Sequence, residues 1–210
     1  MRVNRPIDQW LLGIDRSLKT MTGSLPTTAG FKHSEVEETL SQNEKTASAE
    51  LMRINHCGEV CAQGLYHGQA LTARNQSAKG HLLNAADDEQ KHLIWCQERL
   101  KELDARTSYL NPLWYISSFL TGAVTGLMGD KVSLGFVAAT EEEVCKHLDQ
   151  HLEQLPTSDH RSREILEAIK ADEQHHQDAA HAHGGAKFPS IIKNLMTASS
   201  KLMTRSTRWL

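Results

Sequence analysis

Aromatic residues, proline and glycine are scarce in this sequence. Aromatic residues make up only 5% of the 210 residues, and there are 5 prolines and 13 glycines. Together with 39% hydrophobic and 23% charged residues, this balance favours a soluble helical protein over a sheet-rich one. The length is sufficient for one domain with a sizeable hydrophobic core.

Other absences exclude classes of function. The net charge of −3 argues against broad nucleic-acid binding, which needs a basic surface. The four cysteines include no C-x-x-C pair and no secretory signal opens the sequence, so we expect buried, reduced thiols in a protein facing the cytoplasm. The sequence also lacks a G-x-G-x-x-G fingerprint for nucleotides. Electrons for any redox reaction would therefore come from a partner or from the substrate.

No apolar run reaches the length of about 20 residues that a membrane span requires. The longest candidate, Leu113–Leu127, contains Ser, Thr and Gly and is followed by Asp130 and Lys131, so we predict a buried or interfacial helix. From Lys187 onward the tail carries basic and apolar residues and no acid. This pattern predicts a helix lying on an anionic membrane surface, with a solvated basic terminus as the alternative.

Apolar residues recur at three- and four-residue steps through most of the chain, which is typical of helices. No strand-period run competes with them, so the sequence predicts an all-α fold. The first 46 residues form an extension with one short amphipathic helix around Trp10–Leu18, and residues 47–210 form the domain. The domain's predicted helices start at Ser48 and then span Ser77–Leu103, Leu113–Leu127, Val132–Leu155, Asp159–His183 and Pro189–Leu210.

Two short motifs carry the strongest chemical signal. The first is Glu89-x-x-His92, within DDEQKH, and the second is Glu173-x-x-His176, within ADEQHH. Residues three apart lie on the same face of a helix, so each motif offers one carboxylate and one imidazole to a single point. One such motif is weak support for a metal site, because a solvated face rich in Glu and His would also contain it.

The spacing of two further acids strengthens the metal hypothesis. Glu59 lies 30 residues before Glu89, and Glu141 lies 32 residues before Glu173. This order matches two helical hairpins that pack into a bundle with four carboxylates and two histidines inside, the ligand set of ferritin-like di-iron and di-manganese proteins. Four carboxylates neutralise two divalent cations, and imidazole favours iron over magnesium or calcium. We expect Glu89 and Glu173 to bridge the metals, with terminal ligands Glu59, His92, Glu141 and His176.

Neighbouring polar residues leave some assignments open. Other acids adjoin the predicted ligands, namely Asp87, Asp88, Glu142, Glu143 and Asp172. The choice of Glu141 over Glu142 rests partly on the family resemblance given below. His147 and Asp178 are candidates for hydrogen bonds that orient the ligands, with ordinary surface positions as the alternative. We expect His175, His181 and His183 to be exposed and His56 to have a structural role.

Several segments resemble the demethoxyubiquinol hydroxylases of ubiquinone biosynthesis. The resemblance lies in RINHCGEVCAQGLYHGQ with Glu59, in Glu89-x-x-His92, in the NPLWY turn, in EEEVCKHL with Glu141, and in DEQHHQDAAHAHGG with Glu173 and His176. These segments occur in the same order as in that family and cover roughly residues 48–210. Leu148 departs from the pattern, since some relatives have a tyrosine there. That departure argues against an electron-relay tyrosine at this position.

The resemblance implies a ferritin-like fold with two iron ions and an oxidoreductase activity. The implied reaction is a monooxygenase step in which dioxygen hydroxylates the ring of a polyprenyl demethoxy-ubiquinol. It also implies a peripheral membrane protein on the cytoplasmic face of the bacterial inner membrane, in contact with other enzymes of the pathway. The apolar third segment and the basic tail could supply the route that such a lipid-tailed quinol needs.

Three other functions compete with this interpretation. A ferritin-like protein for iron storage or peroxide scavenging would share the ligands but would have no use for the apolar third segment. A membrane-bound helical scaffold would leave Glu and His in water and would bind no iron. A di-iron hydroxylase acting on modified RNA fits the weakly acidic charge poorly.

Overall fold

The structure is a computed structural model that describes Leu18, Thr20, residues 30–34 and residues 39–210. Within residues 39–210 every regular element is a helix, which confirms the all-α prediction. The predicted helix around Trp10 lies outside the described residues except at Leu18. The helices are α1 (Gln42–Thr72), α2 (Gln76–Glu102), α3 (Asn111–Leu127), α4 (Asp130–Gln154), α5 (His160–Ala182) and α6 (Ser190–Thr207).

Local capping residues fix the ends of these helices. Ser41 forms a capping box with Glu44, so α1 begins at Gln42 and not at the predicted Ser48. Helix α1 therefore runs through the proposed domain boundary between residues 46 and 47, which stays a prediction. Pro112 stands in the first turn of α3, and the Asp159 side chain accepts a hydrogen bond from the Ser162 amide at the start of α5.

Helices α1, α2, α4 and α5 form the bundle. The α1–α2 and α4–α5 pairs pack extensively, and further α2–α5 and α1–α4 contacts join the two hairpins. Each pair is joined by a short loop, as expected for antiparallel neighbours. This is the two-hairpin bundle that the spacing of the acids predicts.

The bundle core has two apolar layers with a polar layer between them. One layer contains Met52, Leu100, Leu148 and Ile169, and the other contains Tyr66, Leu82 and Val137. Along each bundle helix, the predicted metal ligands fall between the residues of these two layers. The flanking apolar layers hold four helices in register, so the ligands share one level of the bundle.

Helix α3 packs across α1 with almost no space between the backbones. A Cβ atom added at Gly68 would lie 2.1 Å from the Phe119 carbonyl oxygen, and one added at Gly122 would lie 2.2 Å from the Leu65 carbonyl oxygen. The outer face of α3 is apolar and exposed at Leu113, Ile116, Leu120, Val124 and Leu127. The third segment is therefore a surface helix with one face buried and one face open, and none of the described helices has the length and hydropathy of a membrane span.

Helix α6 covers α1 and α4 mainly through polar contacts. Ser200 Oγ lies 2.7 Å from His147 Nε2, Lys193 pairs with Glu142, and the Arg208 guanidinium lies 2.8 Å from Glu50. Its apolar residues Ile191, Leu195 and Leu202 are exposed. The tail is a helix, as predicted, and its apolar side faces away from the bundle.

Candidate metal centre

Side chains from all four bundle helices meet in the polar layer of the core. One ligand atom from each of Glu59, Glu89, His92 and Glu173 lies within 4.8 Å of the others. His176 joins this group through contacts with Glu89 and Glu173. All of these residues are buried, so they share a site that excludes bulk water.

Glu89 and Glu173 occupy the middle of the cluster. One oxygen of Glu89 lies 3.1 Å from His92 Nδ1, and its other oxygen lies 3.2 Å from His176 Nδ1. One oxygen of Glu173 lies 3.4 Å from His92 Nδ1, and its other oxygen lies 3.6 Å from His176 Nδ1. Each carboxylate therefore faces both imidazoles, which is the arrangement a bridging carboxylate requires.

Glu141 completes the set from α4. It is 1% exposed, accepts a hydrogen bond from the Tyr66 hydroxyl, and neighbours Glu173. Glu142, the alternative candidate, instead pairs with Lys146 and Lys193. The choice of Glu141 over Glu142 therefore agrees with burial.

Protons balance the charge of the metal-free cluster. Burial raises the pKa of Glu59 and of Glu141, and the neighbouring Glu173 carboxylate adds to the second shift. Burial disfavours protonation of His176, yet Glu173 and Glu89 raise its pKa to about 10. Burial acts against the charged form of Glu89, but His176 and His92 lower its pKa. A divalent cation would displace several protons when it binds here.

Two aspartates orient the imidazoles, and neither is a residue that we predicted for this role. Asp172 Oδ2 lies 3.0 Å from His92 Nε2, and Asp88 Oδ2 lies 3.6 Å from His176 Nε2. Each motif's aspartate therefore contacts the histidine of the other motif. The imidazole nitrogens that face the cluster are the Nδ1 atoms, because the Nε2 atoms face these aspartates.

The predicted orienting residues lie elsewhere. His147 contacts Ser200 and lies 3.5 Å from Glu143, while Asp178 is exposed and contacts Gln174. That prediction was wrong, because counting residues from a ligand does not tell which way a side chain points across the bundle. The repeated Asp-Glu in DDEQKH and ADEQHH was a signal that could have identified Asp88 and Asp172. Tyr66 had no such signal.

The donor set fits two divalent cations. The four carboxylates carry up to four negative charges, and the two imidazoles are typical ligands of transition metals. Four buried atoms of the cluster have no well-aligned hydrogen-bond partner among the described residues, namely Glu89 Oε1, Glu141 Oε2, Glu173 Oε2 and His176 Nδ1. Buried polar atoms need partners, and metal ions would supply them here.

Comparison with known sequences identifies the relatives of this chain. The family model described as "Ubiquinone biosynthesis protein COQ7" matches residues 46–207. That range contains every residue of the metal centre described above.

Individual relatives match at high identity over nearly the whole chain. A protein named 3-demethoxyubiquinol 3-hydroxylase from Ectopseudomonas mendocina is 50% identical over 207 residues, which cover 96% of this chain and 95% of the relative. Proteins with the same name from Acinetobacter baylyi and Nitrosococcus oceani are each 48% identical and cover 100% and 97% of this chain. The similarity therefore extends into the first 46 residues, beyond the range we expected.

Proposed function

Because a family model spans most of the chain and close relatives cover nearly all of it, the protein belongs to the family of the ubiquinone biosynthesis protein COQ7, and we propose that it is a 3-demethoxyubiquinol 3-hydroxylase. The proposed reaction adds a hydroxyl group to the ring of a polyprenyl demethoxy-ubiquinol with dioxygen as the oxidant. The observation that carries this proposal within the molecule is the convergence of six buried donor side chains from four helices.

We propose two iron ions as the cofactor of this site. The ions would be held by six residues, with Glu89 and Glu173 each facing both imidazoles: Glu59, Glu89, His92, Glu141, Glu173 and His176. Two reduced iron ions, when bound, would supply the two electrons with which dioxygen places one oxygen atom in a ring C–H bond and, with two protons, releases the other as water; a partner or the quinol itself would then reduce the ions again.

The residues of the chain would control how the site works. Asp172 and Asp88 hold the imidazole rings so that the Nδ1 atoms face the metal positions. Tyr66 donates a hydrogen bond to Glu141, which fixes the orientation of that carboxylate. The apolar layers on either side exclude water from the cluster.

The location of the protein and its other partners are also part of the proposal. The apolar outer face of α3, the exposed apolar residues of α6 and the basic residues of α6 (Lys193, Lys201 and Arg205) suit attachment to an anionic membrane surface. A peripheral position on the cytoplasmic face of the bacterial inner membrane would bring the site to its lipid-tailed substrate. Contact with other enzymes of the pathway is part of the same proposal, and the electrons would come from such a partner or from the quinol itself.

The test combines iron analysis with quinone profiling. A cell without this protein should accumulate the demethoxy precursor, and the wild-type gene should restore the mature quinone. Glu173→Ala should lower iron content and abolish hydroxylation while most helicity is retained, because it removes one of the two central carboxylates. Glu167→Ala, an exposed position on the same helix, is the matched control and should behave as wild type.

Two results would contradict the proposal. Full activity of the Glu173→Ala variant would refute the ligand assignment. Large-scale iron mineral loading without quinol hydroxylation would instead favour the storage alternative, which shares this donor set.

A further inference from the structure

Two of the motifs that carry the family resemblance meet at one hydrogen bond outside the metal cluster. RINHCGE contributes His56 on α1, and NPLW contributes Asn111, the first residue of α3. The Asn111 side-chain amide donates to His56 Nδ1 at 3.4 Å, and the two residues are only 4% and 1% exposed. Neither residue has a part in holding the metal.

Each member of this pair keeps one polar atom unused. His56 Nε2 and Asn111 Oδ1 have no hydrogen-bond partner in the part of the chain that the structure describes. Because the Asn111 amide donates to Nδ1, the imidazole proton lies on Nε2, and burial lowers the pKa of His56 to about 4, which keeps the ring neutral. The pair therefore presents one N–H donor and one carbonyl acceptor, both buried. Buried polar atoms without partners destabilise a fold, and a ligand that pairs with both atoms would remove this cost.

The pair stands near Glu59 along α1 and at the start of α3, the helix with the apolar exposed face. His56 precedes Glu59 by three residues, which corresponds to about 4.5 Å along the axis of α1. Asn111 begins α3, whose exposed face carries Leu113, Ile116 and Leu120 about half a turn to two and a half turns further on. The hydrogen bond of the pair therefore joins the helix with the apolar exposed face to the helix that carries Glu59.

We propose that His56 and Asn111 form the subsite that binds and orients the quinol ring. This inference rests on the proposed function, because it concerns the substrate of the same site. The His56 Nε2–H group donates to an oxygen of the ring, and Asn111 Oδ1 accepts from a ring hydroxyl. A demethoxy-ubiquinol carries both kinds of group, since its ring bears hydroxyl and methoxy oxygens. The subsite would thus decide which ring position faces the metal centre.

A second buried His–Asn pair provides a matched control. His151 Nδ1 lies 2.9 Å from Asn55 Oδ1, between α4 and α1, and both residues are buried. Burial likewise lowers the pKa of His151 to about 4. The two pairs therefore have the same residue types, similar burial and a shared helix, but only the first lies at the start of α3.

The test replaces each pair by leucines in the full, iron-loaded protein. Removing both partners together leaves no unpaired polar group, so both double variants should fold and keep the iron content of the wild type. With a short-tailed demethoxy-ubiquinol as substrate, His56→Leu/Asn111→Leu should raise KM about tenfold or more, with a smaller change in kcat. His151→Leu/Asn55→Leu should leave KM unchanged. The single variant His56→Gln keeps an N–H donor, so it should retain most of the substrate affinity of the wild type.

Several results would overturn the inference. The first is an unchanged KM in the His56/Asn111 double variant. The second is an equal rise of KM in both double variants. The third is a rise of KM that matches the drop in melting temperature of each variant, whichever pair is removed. If the leucine variant does not fold, Asn111→Ser serves in its place, and an unchanged KM there has the same meaning. Failure of the proposed function is distinguishable, because the wild-type protein would then hydroxylate no quinol at all.

Discussion

Asp172 contacts the metal cluster through the His92 ring, and about half of its side chain is exposed. We predict that Asp172→Asn lowers metal affinity by about 10- to 100-fold, because a neutral amide supports the imidazole less strongly as a ligand. The measurement is an anaerobic titration of metal-free protein with ferrous iron. Asp178→Asn, an exposed aspartate on the same helix, is the control and should titrate as wild type. Equal affinities in the two variants would show that Asp172 does not act through His92.

Buried His151 should make the folded state sensitive to acid. Burial lowers the pKa of His151 from 6.5, its value in an unfolded chain, to about 4 in the folded protein. Below pH 6.5 the unfolded chain therefore binds more protons than the folded one. The stabilisation is thus fully present above pH 6.5 and is lost as the pH falls towards 4. Between about pH 7 and about pH 5.5, the wild type should lose about 1 kcal/mol more unfolding free energy than His151→Gln. Chemical denaturation at both pH values measures this difference, and parallel losses would refute the assignment.

At the residue scale, sequence spacing predicted the cluster but not its surroundings. The helical repeat places residues three apart on one face, so Glu89 with His92 and Glu173 with His176 could be paired from the sequence. The contact of Asp172 with His92 and that of Tyr66 with Glu141 depend on how two helices are rotated against each other. No repeat within a single helix contains that information.

Among the helices, the α1–α3 interface tolerates the least change. A Cβ atom at Gly122 would overlap the Leu65 carbonyl oxygen. That oxygen belongs to the backbone of a packed helix and cannot move aside by itself. We predict that Gly122→Ala destabilises the protein by about 1–3 kcal/mol, because the helices must separate. Gly80→Ala is the matched control, since nothing lies within 4 Å of a Cβ there. That change in α2 should stabilise the protein by roughly 0.5–1 kcal/mol through the higher helix propensity of alanine.

Thermal or chemical unfolding of both glycine variants provides the check. Destabilisation of the Gly80 variant, or no effect at Gly122, would contradict the packing described above.

The composition predicted that residues 113–127 form a helix but not which side is buried. The reason is that the buried side of α3 is marked by Gly122 and Gly126, and small residues give no hydrophobic signal.

For the molecule as a whole, the apolar surfaces of α3 and α6 predict attachment to membranes. Leu120→Ser combined with Leu195→Ser should weaken binding to anionic vesicles by about tenfold or more, because both exposed side chains would leave the lipid. Co-sedimentation with anionic vesicles measures the change, and zwitterionic vesicles should bind the wild type more weakly because of the basic residues of α6. Unchanged sedimentation of the double variant would show that another surface makes the contact.

The two aspartate–histidine contacts also bear on when the centre can first form during synthesis. Each hairpin supplies the aspartate that orients the other hairpin's histidine, so neither hairpin by itself presents a prepared imidazole. The last of these residues, His176, lies near the end of the fifth helix. Both hairpins must therefore have left the ribosome before the cluster of six donor side chains can assemble. Until then the first hairpin contributes only Glu59, Glu89 and His92, which are half of the cluster.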